Sequence, residues 1–286
     1  MKLIKNYQEL SKLIFSHLKK NLITNCFLGK EEWTLEIQND LAYYIETEKN
    51  LYLFRKRDGF WILNYYLNDL DTEFNNSILN PIVVEFVGRN ILENNYQKQQ
   101  ELFNNLGWKK CVERERFEKI ESSIEEKQSE FENNDCGNGD IEIKNNSKND
   151  SKIEICLAQE HDFDNVLELL KDSFNPYYGC IPTNLKLLED INNGGVYMAK
   201  INNKIVGILH FKHMDKLAEI RHLAIDKDWR GQGIANELMN VYENEVRTQK
   251  KIVWTGIENQ AAQGLYLKNG YKKDGYVSNV YMNEML

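Results

Sequence analysis

The sequence predicts an α+β protein built from two domains in tandem. A chain of 286 residues is long for one compact domain and sufficient for two. In the C-terminal half, β-rich runs alternate with amphipathic helical patterns, and a polar, acidic segment separates this half from the rest. The N-terminal half repeats part of the same pattern. We therefore divide the chain into residues 1–120, a linker at 121–151 and residues 152–286.

The linker is defined by its composition. Between Glu121 and Glu154 the chain has ten acidic and four basic residues, so this segment carries a net charge of −6 out of the total of −8. Runs of Asn, Asp, Ser and Gly at 133–140 and 145–152 offer almost nothing that a core could bury. Burial therefore cannot offset the entropy lost on ordering, and we expect mainly a solvated spacer.

The C-terminal half has the clearest succession of elements. Two β-rich runs in 196–214 meet at Asn202-Asn203, a pair typical of a tight hairpin turn. A strand pattern at 217–225 leads into a glycine-rich turn and a helical pattern. The other predicted elements are a strand at 153–158, helices at 162–172 (with Asp162 as N-cap) and 183–191, a strand at 251–257, a helix at 259–269 closed by Gly270, and two short terminal strands.

The N-terminal half contains a partial copy of this pattern. The matching segments are 51–69 with 196–215, and 101–110 with 264–273. Between these anchors the first copy is about eighteen residues shorter, and it lacks the strand, glycines and helix start around Arg230. Residues 1–120 are therefore interpreted as a duplicated domain that lost, or never had, this segment.

Composition excludes several classes of function. The net charge of −8 argues against a general nucleic-acid binder. No run of eighteen apolar residues predicts a membrane span, and the N-terminal segment has no export signal, so we expect a cytoplasmic protein. The five cysteines are scattered and contain no Cys-x-x-Cys pair, which favours reduced thiols over a disulfide framework or a zinc site.

The glycine-rich turn is the feature that indicates chemistry. The residues from Arg230 to Ala235 read Arg-Gly-Gln-Gly-Ile-Ala and stand between a predicted strand and a predicted helix. Glycines allow successive backbone N–H groups to point at one spot, and the start of the helix adds a partial positive charge there. This arrangement suits a pyrophosphate, although such a turn on its own can also be only a turn.

Two motifs resemble those of the GNAT superfamily of N-acetyltransferases. The segment 217–239 is similar to its motif A, in which Gln/Arg-x-x-Gly-x-Gly/Ala follows a strand, and the segment 259–271 is similar to its motif B. The resemblance covers 153–286, whereas 1–120 lacks both motifs. It implies tandem domains, each with a mixed, mostly antiparallel sheet flanked by helices. It also implies acetyl-CoA as the co-substrate, no metal, and direct attack by a small-molecule or peptide amine.

The resemblance assigns roles to individual residues. Tyr266 corresponds to the general acid that protonates the departing thiolate, or else it is a packing aromatic. Glu219 corresponds to the general base of the histone-type members, or else it is an outward strand residue. Alternation along the strand predicts that His222, three residues further on, faces the opposite side. The implied cofactor contacts are Leu223, Ala224 and Ile225 for pantetheine, Arg230, Gly231, Gln232, Gly233, Ile234, Ala235 and Asn236 for pyrophosphate, and Asn259, which could instead cap its helix, with Tyr266.

The acceptor and two rival functions stay open at this point. The resemblance places the acceptor pocket beside the loop 173–179, whose aromatics could bind a cationic or apolar group or could pack the domain. The chain could instead be a non-catalytic acyl-CoA sensor or scaffold, or it could use a longer acyl donor. The sequence defines neither the acceptor amine nor the oligomeric state.

Overall fold

A computed structural model of the chain describes residues 1–19, 22–70, 81–89, 94–121 and 153–283. The predicted linker therefore lies outside the described residues apart from Glu121. Within these ranges the strands are β1 (Lys2–Leu3), β2 (Ile23–Thr24), β3 (Ala42–Glu46), β4 (Asn50–Arg57), β5 (Phe60–Leu67), β6 (Ile82–Gly88), β7 (Lys109–Ile120), β8 (Glu154–Leu157), β9 (Val196–Ile201), β10 (Lys204–Met214), β11 (Leu217–Ile225), β12 (Lys250–Gly256) and β13 (Lys272–Met282). The α-helices are α1 (Tyr7–His17), α2 (Lys30–Gln38), α3 (Asn94–Asn105), α4 (Phe163–Ser173), α5 (Asn184–Asn192), α6 (Ile234–Glu245) and α7 (Gln260–Lys268).

The chain forms two compact units. Unit 1 comprises residues 1–114 and 275–286, and unit 2 comprises residues 115–274. Each unit is a mixed, mostly antiparallel sheet flanked by helices, which confirms the predicted fold class. No α-helix in the described ranges is both long and apolar enough to cross a membrane.

Unit 1 has a sheet with the order β1-β3-β4-β5-β6-β13. Its one parallel pairing among the described strands joins β5 to β6, and the short strand β2 lies antiparallel to β5. The aromatic rings of Phe86, Phe103 and Tyr281 stack in the core of this sheet. Unit 1 therefore has a core of its own.

Unit 2 has strands in the order β12-β11-β10-β9-β8, and the pairing of β11 with β12 is parallel. Helix α6 packs on one face of this sheet through a cluster that includes Leu209, Phe211 and Leu238. Helices α4 and α5 cover the other face through a cluster that includes Val166, Leu187 and Ile208. Alternating residues of β10 thus serve two cores, as expected for a sheet buried on both faces.

The two units are not continuous segments of the chain, and their bounds differ from the predicted division at 120 and 152. The end of β7, from Glu115 onward, belongs to unit 2, where Phe117 is fully buried beside Tyr266. The end of β13, from Gly275 onward, belongs to unit 1, where it pairs with β6 in antiparallel register. Each unit therefore completes its core with a strand end that composition assigns to the other half.

Local sequence signals account for most elements of unit 2. Asn202 and Asn203 both have positive φ, as the predicted hairpin turn requires. Asp162 is the N-cap residue of α4, as predicted, but its side chain forms no capping hydrogen bond to the helix. Instead it accepts from the backbone N–H of Gln159 at 3.0 Å and pairs with Lys200. One detail was wrong. The two predicted terminal strands are the single strand β13, which runs through Gly275 at φ 84°.

Candidate active site

Strand β11 has one open edge in its C-terminal half. Its parallel pairing with β12 ends at Ile220 opposite Val253, whereas its antiparallel pairing with β10 continues to Ile225 opposite Gly207. No described strand pairs with the β12 side of β11 beyond Ile220. Leu223, Ala224 and Ile225, the predicted pantetheine contacts, lie in this half-paired stretch. An extended ligand could pair with such an edge as an added strand does.

The glycine turn lies at the end of this edge. Gly231 and Gly233 have φ angles of 76° and 86°, which side chains rarely adopt, and Gly233 is the N-cap residue of α6. A methyl group built on either glycine would touch no other described atom within 4 Å, so the space in front of the turn is open. The peptide groups here are therefore accessible to a ligand.

Several backbone N–H groups point out of this turn without a partner. Within the described residues, the N–H groups from Gly231 to Ala235 form no hydrogen bond. The N–H of Asn236 differs, because it donates to the carbonyl of Gly233 at 2.9 Å. Unpaired N–H groups at the start of a twelve-residue helix form an anion site, and the helix dipole strengthens it.

Arg230 and Asn259 both make local contacts at the edge of the cleft. The Nε of Arg230 donates to the carbonyl oxygen of Ile225 at 3.1 Å, which ties the turn to the strand end. The side-chain oxygen of Asn259 accepts from the N–H of Ala262 at 3.1 Å, so Asn259 caps α7. Capping was the alternative that the sequence left open for Asn259.

Tyr266 lies in the core on the α6 face. Its side chain is only 4% exposed, and its ring packs against Phe117 and Tyr271 at centroid distances of 6.3 and 5.9 Å. Burial raises the pKa of the Tyr266 phenol well above its ordinary value, so the phenol stays protonated at neutral pH. Its hydroxyl has no hydrogen-bond partner in the described part of the chain.

Glu219 is half-buried on β11 and carries an ion pair. Arg221 donates to its carboxylate at 3.0 Å, and Lys212 is its cross-strand neighbour on β10. The ion pair occupies one of the two carboxylate oxygens.

A bulge in β11 corrects the predicted orientation of His222. His210 lies opposite His222 and Phe211 lies opposite Ile220, so Arg221 is left without a cross-strand partner on β10. Cross-strand partners share a face, and His210 and Lys212 share one because they are two residues apart. Glu219 and His222 therefore lie on the same face, and the prediction of opposite faces was wrong.

The sequence reasoning missed a buried polar chain on this face. His222 and His210 stack with their rings 5.3 Å apart and share a hydrogen bond of 3.1 Å between their Nδ1 atoms. His210 also contacts Asp190 on α5, and His222 contacts the carbonyl of Gly179 in the loop between α4 and α5. The two histidines lie opposite each other on β10 and β11, and this pairing is the signal that could have identified the polar chain. Simple alternation along β11 does not reveal it, because the bulge at Arg221 shifts the register. Neither these side chains nor any other group of three in the described residues is arranged so that it could hold a metal ion.

Comparisons with known proteins show what this region is similar to. Residues 163–271 match the model of the Acetyltransferase (GNAT) family. An uncharacterized N-acetyltransferase of Methanocaldococcus jannaschii is 28% identical over 155 residues, which cover 48% of this chain and 67% of that protein.

Two solved structures show the same fold over most of the chain. A GCN5-related N-acetyltransferase from Sphaerobacter thermophilus is 12% identical with a TM-score of 0.51, and the match covers 90% of this chain and 86% of that one. A functionally unknown conserved protein from Staphylococcus epidermidis is 15% identical with a TM-score of 0.50, and the match covers 85% and 95%. At these identities the likeness concerns the fold alone.

Proposed function

We propose that this chain, whose residues 163–271 match the model of the GNAT acetyltransferase family, is a member of that family and transfers an acetyl group from acetyl-CoA to a primary amine. The observation that carries the proposal is the open edge of β11, which ends at a turn of unpaired N–H groups at the start of α6. An extended polar arm that ends in a pyrophosphate fits both features.

The cofactor contacts follow from this arrangement. The N–H groups from Gly231 to Ala235 would bind the pyrophosphate, and the backbone of 223–225 would pair with the pantetheine arm. The guanidinium of Arg230 is exposed beside the turn and would add a positive charge near the phosphates. Asn236 would contribute less than the other turn residues, because its N–H already bonds to Gly233.

The reaction itself needs no covalent bond to the protein. The amine nitrogen attacks the thioester carbonyl carbon, the C–N bond forms, the C–S bond breaks, and the amine loses a proton. The sulfur leaves as a thiolate, which requires a proton or a strong hydrogen bond. Within unit 2 we assign this role to Tyr266.

The environment of Tyr266 favours stabilisation over complete proton transfer. A thiol has a pKa near ~8.5 and an unperturbed phenol one near ~10, so transfer to the thiolate is uphill even before burial. The buried phenol has a still higher pKa. We therefore propose that Tyr266 donates a hydrogen bond to the departing sulfur and that solvent finally supplies the proton.

Glu219 would serve as the base, directly or through water. Freeing a lysine-like amine with a pKa near ~10.4 costs about 4.6 kcal/mol at pH 7, whereas an α-amino group near ~8 costs about 1.4 kcal/mol. The need for Glu219 therefore depends on the acceptor. We place the acceptor beside the loop between α4 and α5, on the face of β11 that carries Glu219.

We also propose that the N-terminal segment 1–120 is a degenerate copy without a cofactor site. Phe103 occupies the pattern position of Tyr266, so the hydroxyl is absent, and Phe103 is buried among aromatic rings. The interval that would hold a phosphate turn, 70–81, has no glycine in the sequence, and 71–80 lies outside the described residues.

The direct test is an acceptor screen. The protein is incubated with acetyl-CoA and separate panels of α-amines, lysine-like amines, polyamines and amine-bearing antibiotics, and both free thiol and acetylated product are measured. We expect equal amounts of thiol and acetyl-amine with at least one class. Tight binding of acetyl-CoA without acetyl transfer to any panel would favour the sensor function. Mass analysis of copurified CoA species would reveal a longer acyl donor.

A further inference from the structure

The polar chain under the acceptor loop joins one helix, two strands and a loop. Asp190 contacts Nε2 of His210 at 3.0 Å, Nδ1 of His210 contacts Nδ1 of His222 at 3.1 Å, and Nε2 of His222 contacts the carbonyl oxygen of Gly179 at 2.9 Å. Both imidazoles are at most 3% exposed. The chain is therefore continuous and shielded from solvent.

The two ends of the chain can only accept hydrogen bonds. The carbonyl of Gly179 has no proton to give. Burial opposes ionisation of Asp190, but hydrogen bonds from His210 and Lys186 outweigh it and hold the pKa of this carboxyl below its ordinary value. Asp190 is therefore a carboxylate, and every proton of the chain is carried by the two imidazoles.

Counting protons gives the charge of the pair. Three hydrogen bonds need three N–H groups, and they must come from the four ring nitrogens of His210 and His222. Two neutral imidazoles supply only two N–H groups. The intact chain therefore carries one proton more than two neutral rings, and Asp190 balances the resulting charge. Removal of that proton must break one of the three bonds.

The chain holds the loop that we assign to the acceptor. Besides the bond to Gly179, the ring of Phe174 packs edge-on against His222 at 4.8 Å. Gly179 is itself fixed, because its N–H donates to the carbonyl of Asn175 at 2.7 Å, where an added Cβ would clash at 2.4 Å. Ionisable groups near these residues include Lys186 on α5, Lys212 on β10 and Glu219 on β11 with its partner Arg221, and the loop itself carries Tyr177, Tyr178 and Cys180.

We propose that Asp190, His210 and His222 are positioning residues that hold the acceptor loop against β11 through one shared proton. This inference rests on the proposed function for the identity of the bound amine. The protonation and hydrogen bonding of Asp190, His210 and His222 do not depend on that function. When the shared proton is lost at higher pH, one of the three bonds breaks, so the loop is no longer held by an intact series of hydrogen bonds from Asp190 to Gly179. Acceptor binding then weakens, whereas acetyl-CoA binding is unaffected.

One substitution removes the need for the extra proton but keeps the three hydrogen bonds. In Asp190→Asn the amide can donate to Nε2 of His210, so two neutral imidazoles complete the same three bonds without an extra proton. This variant should keep the loop in place and lose the pH dependence. His222→Phe should lose the bond at every pH. Asp162→Asn is the matched control, because Asp162 is a buried carboxylate with a lysine partner outside the chain.

The experiment combines a readout without substrate and one with it. Protein labelled with ¹⁵N in histidine and glycine is titrated across about pH 5–9, and ring N–H protons and the Gly179 amide are followed by NMR. We expect three ring N–H protons at low pH, loss of one on titration, and a simultaneous shift of Gly179. Asp190→Asn should show two throughout and an unmoved Gly179. The Asp162→Asn control should behave as the parent.

The kinetic arm uses the amine found in the screen, with its own ionisation corrected for. The KM for the amine should rise about tenfold in the parent as the pair loses its proton, and in His222→Phe at all pH values, with the KM for acetyl-CoA unchanged. Two outcomes would overturn the proposal: a Gly179 signal that ignores the titration, or an Asp190→Asn protein that titrates as the parent does. Absence of acetyl transfer with an intact NMR result would instead count against the proposed function.

Discussion

Two parallel strand pairs among the described strands, one in each unit, differ in how the gap beyond their last paired residues is filled. In unit 2, β11 and β12 pair over four residues and then diverge, and the open edge of β11 meets no other described strand. In unit 1, β5 and β6 pair over three residues, from Trp61 opposite Ile82 to Leu63 opposite Val84, before their pairing ends. Here the free edge of β5 is covered by β2, whose residues Ile23 and Thr24 pair with Leu67 and Tyr66.

Asn25 fills the remaining gap between β5 and β6 in unit 1. Its side-chain amide donates to the carbonyls of Leu63 on β5 and Glu85 on β6 at 3.0 and 2.8 Å, and its oxygen accepts from the N–H of Tyr65 at 2.8 Å. One buried side chain thus bridges both strands. Diverging parallel strands leave backbone groups that need partners. Unit 1 supplies them from its own chain, and we propose that unit 2 leaves them for acetyl-CoA.

The largest expected effect is on kcat, when Tyr266 in unit 2 is replaced by the residue type found at the corresponding position 103 in unit 1. Tyr266→Phe gives unit 2 the side chain that Phe103 provides in unit 1. Loss of the hydrogen-bond donor to the departing sulfur should lower kcat by roughly 10²–10³ with little change in the KM for acetyl-CoA. Steady-state kinetics with a burst-phase control for product release checks this. An unchanged kcat with chemistry rate-limiting would reduce Tyr266 to a packing residue.

The next effect concerns the bridge in unit 1. Asn25→Leu leaves the backbone groups of Leu63, Tyr65 and Glu85 buried and without this partner, which should lower the free energy of unfolding by about 2–4 kcal/mol. Urea denaturation measures the change. Asn39→Ala removes an exposed helix-end hydrogen bond to Leu35 and is the matched control, expected to cost under about 1 kcal/mol. Equal effects of the two variants would show that Asn25 is no bridge.

A smaller effect is expected at the phosphate turn. Gly233→Ala strains a residue at φ 86° and disturbs the row of N–H groups, so the Kd for acetyl-CoA should rise about tenfold or more. Gly59→Ala is matched to it, because Gly59 also has a positive φ of 77° and open space around its Cβ position but lies in the β4–β5 turn. Isothermal titration should give the parental Kd for Gly59→Ala. An equal loss in both variants would point to a general folding defect.

The smallest effect should depend on the acceptor. Glu219→Gln should reduce kcat/KM for a lysine-like amine throughout the range below about pH 10, where that amine is protonated, and should scarcely affect an amine of low pKa. A pH–rate profile identical to that of the parent for both kinds of amine would remove Glu219 from the mechanism.

Local patterns predicted the elements of unit 2 because each has a local cause. The Asn202-Asn203 turn, the glycines at 231 and 233 and the cap at Asn259 are all encoded within a few residues. They were sufficient to predict the fold class and the proposed phosphate turn. The C-terminal unit could thus be interpreted from sequence by periodicity, capping and turn chemistry, together with the resemblance of its two motifs.

Features that depend on distant partners could not be predicted in this way. Strand β2 has two residues and no periodicity, and its role is visible only beside β5. The assignment of the ends of β7 and β13 to different units depends on contacts more than a hundred residues apart in sequence, such as that of Phe117 with Tyr266. The bulge at Arg221 changes the face of every later residue in β11, which alternation cannot anticipate.

The central claim is that only the open strand pair of unit 2 binds the cofactor. Isothermal titration of the full chain with acetyl-CoA, compared with the same titration of Gly233→Val, tests it most directly. The account predicts one site per chain in the parent and loss of that site in the variant, with unchanged urea denaturation. Two sites per chain, or one site that survives Gly233→Val with its affinity intact, would contradict it.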